Sequence, residues 1–349
     1  MTFFALLVSF LVSFSLCPFL RRLALRWDIV DYPEVRKLQK SPVPLLGGVA
    51  VYLGVVVASF MIPLYQKFHL DLFISSTLIF IVSLIDDKQK LSARVRIIVQ
   101  LVAASILILG GIRISFLPNS LIFNILEVLI TFMWILGMTN AFNYLDGVDG
   151  LCSGLGIVTS FFFFVILFST GQNDLMFLPV TAIGACLGFL PYNLRKDKMF
   201  LGDGGSMFVG FTVAAFALLG SWASNDIIKI SIPILILGVP IFDMTFTTIM
   251  RYRERKIRNM VQWLEYAGRD HFHHYLMDLG LKSRGAVYFI LVVSVSMGLS
   301  ALIIANNDRP VYAFLTILKS SIMFGLISVL MVLGRRRHKE AQVKERMGI

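Results

Sequence analysis

Charge is what this sequence is shortest of. Only 15% of its 349 residues are Asp, Glu, Lys or Arg, and 57% are hydrophobic, which excludes an ordinary soluble domain and fits a polytopic membrane protein. Cysteine is nearly absent. Cys17, Cys152 and Cys186 are the three, all in apolar stretches and with no C-x-x-C spacing, so there is neither a disulfide framework nor a cysteine metal site. Solenoid repeats, low-complexity tracts and any long soluble segment are missing too. The longest polar piece, 250–284, is too short to be a domain of its own.

Long apolar runs fill the rest. Windows of about 20 residues give eleven spans, approximately 2–20, 45–65, 70–85, 94–110, 121–138, 150–169, 175–190, 204–220, 227–249, 285–305 and 311–333. Met1–Leu20 has no basic n-region and is followed by Arg21-Arg22, so it reads as a retained first span and not as a signal peptide. Of the 32 Lys and Arg, 27 fall on one side of this arrangement, in segments 21–41, 86–96, 191–203, 250–284 and 334–349. Lys67, Arg113 and Arg309 fall on the other, while Lys229 and Lys319 lie within spans. The positive-inside rule makes the rich side cytosolic. The expected fold is therefore all-α, a single transmembrane domain of about 11 helices with the N-terminus outside and a cytosolic C-terminal tail at 334–349. The net charge of +11 suits anionic lipid headgroups and phosphates, and nucleic acid need not be invoked.

The acids and histidines are not scattered. They cluster at span ends on that same side, in loops 21–44, 86–96, 139–149, 191–203 and 250–284. A carboxylate costs roughly 2.5–3.5 kcal/mol at a helix centre in a bilayer, so one retained nearby usually has a task. In 31–48, three prolines forbid a helix, Gly47-Gly48 permits close backbone approach, and Arg36 and Lys37 are placed to meet phosphate or nucleotide. The plain alternative is a basic anchor loop. Asp86-Asp87 ends the third span, where two adjacent side chains diverge by about 100°, so one can face a metal or phosphate and the other a reacting hydroxyl. Interfacial capping is the structural alternative.

Asn140-x-x-Asn143-x-x-Asp146-Gly-x-Asp149-Gly contains no Lys or Arg. Its hard oxygen donors suit Mg²⁺, and it lacks the glycine spacing and terminal Glu of an EF-hand. Phe200-Leu-Gly-Asp203-Gly-Gly-Ser206 opens the eighth span. Helix N-terminal N–H groups favour anions, and an acid beside them calls for a bridging cation, as in a metal–diphosphate site; a simple N-cap is the alternative. Arg269-Asp-His271-Phe-His273-His274 closes the 250–284 segment. It has neither H-E-x-x-H nor a cysteine partner for zinc, so its side chains read as donors to phosphate. Upstream, Ile257, Met260, Val261 and Leu264 have the spacing of an interfacial helix on anionic lipid. Pro233 and Pro240 should break the ninth span, with Asp243 near its cytosolic end. Such a break leaves a groove that could admit a prenyl chain.

Taken together and in order, these five motifs resemble the polyprenyl-phosphate N-acetylhexosamine-1-phosphate transferases, the MraY/WecA family. The resemblance runs from Asp31 to Leu281. It departs at Gln39, where the family commonly has His. The His-x-His-His form, the eleventh span with its basic tail, and Pro240-x-x-Asp243 lean toward the WecA-like branch and its teichoic-acid relatives. The resemblance implies transfer of GlcNAc-1-phosphate from UDP-GlcNAc to undecaprenyl phosphate, with release of UMP. It implies Mg²⁺ as cofactor, with Mn²⁺ substituting, a homodimer, and a bacterial plasma membrane location with a cytosol-facing site. O-antigen and teichoic acid are both pathways such a product serves. Other donors, UDP-MurNAc-pentapeptide or UDP-GalNAc, need only a different sugar pocket.

The expected roles follow. Asp203 holds the metal with Asn143. Asp86 or Asp87 acts on the lipid phosphate. Arg36, Lys37, Asn140, Asp146, Asp149 and Phe200 bind the nucleotide sugar, Phe200 by stacking. Arg269, His271, His273 and His274 donate to phosphates. Direct attack by the lipid phosphate and a two-step route through a covalent Asp both fit this set. A secondary transporter is the rival class, but transporters carry midplane sites and inverted repeats, whereas these acids sit at span ends.

Overall fold

The computed structural model describes all residues except 34–40, 61–66, 259–261, 263–265, 267, 269, 308 and 348–349. Arg36, Lys37, Gln39 and Arg269 lie outside the described residues, as does most of the expected interfacial helix. The chain forms two compact units, Met1–Trp222 and Ala223–Ile349.

The first unit contains eight helices among the described residues: α1 (Thr2–Arg26), α2 (Gly47–Ser59), α3 (Lys67–Gln89), α4 (Ala93–Leu109), α5 (Leu121–Leu145), α6 (Leu151–Ser169), α7 (Phe177–Asn193) and α8 (Gly202–Leu219). A two-residue antiparallel ladder, Val30–Asp31 with Val43–Pro44, precedes α2. The second unit contains α9 (Asp226–Ile236), α10 (Gly238–Arg253), α11 (Phe272–Asp278), α12 (Ser283–Ala305) and α13 (Pro310–Met347).

The all-helical expectation holds. Among the described residues, six helices are long and apolar enough to cross a membrane, or seven if α9 and α10 form one broken span bent by 76°. α2 and α7 are apolar but only 13 and 17 residues long. The bend falls at Leu237. Pro233, which lacks an N–H, lies one turn before it, and Pro240 sits in the first turn of α10, where that lack is tolerated. Outward faces are apolar, as lipid requires: Leu121, Ile122, Ile125, Leu129 and Met133 of α5 are all exposed.

Several helices outrun their expected ends, two of them at the acidic motifs. α3 continues through Asp86-Asp87, and α5 continues to Leu145. Asn140 and Asn143 are therefore helical residues, since nothing before Gly147 breaks the pattern. At the opposite end of α5, buried Glu127 accepts the N–H groups of Phe116 and Leu117, each at 2.7 Å.

α8 is the core of the first unit, buried from Ser206 to Ala217. Its first turn packs on the start of α2 so closely that a Cβ on Gly48 would lie 2.3 Å from the Gly205 nitrogen. Gly47 and Gly48 donate to the carbonyls of Phe200 and Leu201, at 3.1 and 2.7 Å. Phe200 N–H returns to Pro44 O at 2.8 Å. Backbone cannot yield as a side-chain tip can. Gly48→Ala is accordingly expected to lower stability by about 1–3 kcal/mol or prevent folding, read as loss of the folded fraction on detergent size-exclusion chromatography.

Candidate active site

The ends of α3, α5 and α7 meet the starts of α2, α4, α6 and α8, as the contacts among them show. The tertiary fold collects the motifs there. Asp87, from the last turn of α3, reaches 116 residues along the chain: its Oδ1 accepts the Asp203 N–H at 2.7 Å and its Oδ2 the Gly204 N–H at 3.0 Å. The anion at the start of α8 is thus the protein's own carboxylate. The expected exposure of these two amides to a ligand phosphate gives way to a long-range cap, because the buried helix start must satisfy its free donors.

Asp203 points from this capped turn toward α5. Asn143 Nδ2 donates to Asp203 Oδ1 at 2.8 Å and to Ser206 Oγ at 3.0 Å. Asn143 Oδ1 is then the atom it can offer elsewhere. Asp86, 5% exposed, accepts the Leu91 N–H and faces Arg96 of α4 at 3.3 Å. It also lies beside Asp203.

Asp146 caps the end of α5. Burial first, then repulsion from Asp203, Asp87 and Asp149, holds its carboxyl well above the ordinary carboxylate range. Asp86, Asp87, Asp146 and Asp203 thus form a cluster of acids, with Arg96 as a cation at its edge. Asn140 turns away. It pairs with Gln100 and donates to the Leu136 carbonyl, which ties α5 to α4.

Asp149 lies on the turn after Asp146 and is held by Lys198, whose Nζ also stands 4.9 Å from the Phe200 ring centroid. Gly150, at φ +81°, closes that turn. Its N–H donates to Asn193 Oδ1 at 2.6 Å. Arg96, Lys198 and Asn193 were outside every sequence motif. Their only signal was location: each falls in a segment expected on the cytosolic side.

The second unit has its own polar cluster. Asp243, fully buried on α10, accepts from His271 Nδ1 at 2.7 Å and from the Phe272 N–H at 2.6 Å. Arg251 forms a fork with Asp270, at 3.0 and 2.8 Å, and its Nη2 lies 3.1 Å from His271 Nε2. Arginine only donates, so Nε2 is the acceptor and Nδ1 carries the hydrogen. Burial alone would raise the Asp270 carboxyl, but Arg251 overcomes it and holds the group below its ordinary range.

His273 is 1% exposed, and neither of its ring nitrogens has a hydrogen-bond partner among the described residues. Burial, then His274 and His271, pushes its value well below 6.5. The unfolded chain therefore takes the proton first, so this contribution is present above 6.5 and is lost as pH falls through that value. Asp270 acts only at lower pH, below the ordinary carboxylate value of 3.8. Asp146 works the other way, since its raised carboxyl takes up a proton in the folded state first, so the expected result is a difference: between about pH 7 and about pH 5 the wild type loses more stability, or gains less, than His273→Gln, as measured by melting curves across that range.

The chain as a whole is similar to known proteins. Residues 69–221 match the family model described as glycosyl transferase family 4. A Bacillus subtilis (strain 168) protein named probable undecaprenyl-phosphate N-acetylglucosaminyl 1-phosphate transferase is 34% identical over 308 residues, covering 86% of this chain and 84% of its own. The chain belongs to the MraY/WecA family. A Mycobacterium leprae decaprenyl-phosphate N-acetylglucosaminephosphotransferase is 30% identical, with 90% and 86% of the two chains covered. A Salmonella typhi undecaprenyl-phosphate alpha-N-acetylglucosaminyl 1-phosphate transferase is 31% identical, with 78% and 75% covered. In this family member, the matched stretch 69–221 holds the whole Asp86–Asp87–Asn143–Asp203 constellation.

Proposed function

We propose that this membrane transferase moves N-acetylglucosamine-1-phosphate from UDP-GlcNAc to undecaprenyl phosphate, giving undecaprenyl-diphosphate-GlcNAc and UMP. The observation that carries it is the acidic pocket around Asp203, with the Asp149–Phe200 subsite beside it, in a chain whose relatives are named for this transfer. Phosphoryl transfer is mostly positioning and electrostatics, and these residues supply both. The site faces the cytosol of a bacterial plasma membrane in this reading, and the polyprenyl tail remains in lipid.

The donor set suits Mg²⁺. Among the described residues no group of three His, Cys, Asp or Glu is placed to hold a metal ion by itself; the donors assigned to it here are the Asp203 carboxylate and the Asn143 carbonyl oxygen. Mg²⁺ is commonly held in this way, keeping waters and substrate phosphate oxygens for its other positions. Bound there, it would neutralise charge on the diphosphate and the leaving UMP.

The protein's own residues divide the remaining tasks. Asp87 fixes the turn that presents Asp203. Asp86, with one oxygen toward Arg96, orients the acceptor phosphate for attack on the β-phosphorus through that guanidinium, since a carboxylate only accepts. The P–O bond to UMP breaks as the new P–O bond forms. A phosphate monoester is already largely dianionic at pH 7, its second pKa being about 6, so orientation matters more than deprotonation. Asp149 and Phe200 hold the nucleotide. In the second unit, Asp243 and Arg251 fix the His271 ring, which makes His271 a framework residue of the His271–His274 segment.

UMP release by detergent-solubilised protein tests this reading. Release is expected with UDP-GlcNAc, undecaprenyl phosphate and Mg²⁺, and it should stop when EDTA is added or the lipid is left out. Release only with UDP-MurNAc-pentapeptide would keep the chemistry and replace the sugar. No release with any UDP-N-acetylhexosamine, from folded protein, would overturn the proposal.

A further inference from the structure

The nucleotide end of the site includes a side chain that no motif contains. Lys198 Nζ donates to both carboxylate oxygens of Asp149, at 2.9 and 2.6 Å, while lying over the Phe200 ring. The two segments that carry these groups are fastened by Asn193, itself 5% exposed. Its Oδ1 takes the Gly150 N–H, and its Nδ2 donates to the Met199 carbonyl at 3.0 Å. A buried amide thus sets Asp149, Lys198 and Phe200 in register.

Stability gives this arrangement little reason to exist. The Lys198 and Asp149 side chains are 21% and 35% exposed, and ion pairs open to solvent contribute little. The chemistry gives a better one. A flat ring offers a stacking face, and next to it stand an acceptor and a donor. A planar heterocycle that presents an N–H beside a carbonyl complements all three, and the imide edge of uracil is such a group. Each carboxylate oxygen accepts more than one hydrogen bond, so Asp149 can take the base N–H without releasing Lys198.

We propose that Lys198 is a specificity-determining residue of the nucleotide subsite, donating to a ring carbonyl of the base while Asp149 accepts the neighbouring N–H. This rests on the nucleotide reading of Asp149 and Phe200 given above. Lys198 then recognises the base and not the phosphates, which separates it from the Arg96 side of the pocket.

Calorimetric titration of the purified full-length protein with uridine and with UMP tests it. Lys198→Met is expected to weaken both ligands by the same factor, about tenfold, with little change in melting temperature. Lys198→Gln keeps an N–H donor and should retain most of the affinity. A loss confined to UMP would assign Lys198 to phosphate and overturn the proposal, as would unchanged or tighter binding in Lys198→Met. Equal losses in the Met and Gln variants would do the same, since only the charge opposite Asp149 would then matter. If Asp149→Asn and Phe200→Ala both leave uridine and UMP binding intact, the nucleotide reading itself fails, whatever Lys198 does.

Discussion

Asp203→Asn is expected to lower kcat by about 10²–10³-fold or more while leaving the fold intact. The substitution keeps the shape of the side chain, and its amide oxygen can still accept the Asn143 Nδ2 hydrogen now given to Asp203 Oδ1. It removes the charge, which is the property a metal–diphosphate site needs. It also relieves repulsion with Asp86, Asp87 and Asp146. The melting temperature should therefore stay level or rise as turnover falls, the signature of a charge kept for function at some cost in stability. UMP release and thermal melting on one preparation check both halves. Near-normal turnover would remove Asp203 from the site, and a large loss of stability would make its role structural.

Asp87→Ala and Asp86→Asn are expected to part company. Asp87 satisfies two N–H groups at the start of the core helix α8. Its truncation leaves buried donors without an acceptor, at about 1–3 kcal/mol each, and frees the turn that aims Asp203. Stability and kcat should fall together. Asp86→Asn keeps an oxygen for the Leu91 N–H and loses the charge facing Arg96. It should reduce kcat with only a small change in melting temperature. Chemical-denaturation midpoints and initial rates for the two variants separate the residue that caps α8 from the one that acts through Arg96. If Asp86→Asn proves the less stable of the two, the assignments are reversed.

The order of motifs, the apolar runs and the one-sided distribution of basic residues are local properties, and all were legible in the sequence. Asp203 and Asn143 were paired there on donor chemistry, and the structure brings them to 2.8 Å. The break in the ninth span was legible too, because proline acts on its own backbone. Boundaries were less so. α5 reaches Leu145, and a window seeking unbroken apolar residues stops at the first polar ones even where the helix continues.

By itself, then, the sequence determined a helical membrane chain with its chemistry gathered at span ends, because hydrophobicity, charge and proline act within a few residues. Only the tertiary structure decided which partner each polar group takes. Asp87 was indistinguishable from Asp86 until α3 and α8 packed and one carboxylate met two free N–H groups. Lys198 was one more basic residue between apolar runs until Asn193 fixed the turn that carries Asp149. Such choices follow from satisfying buried donors and acceptors across more than a hundred residues of chain, which no local pattern encodes.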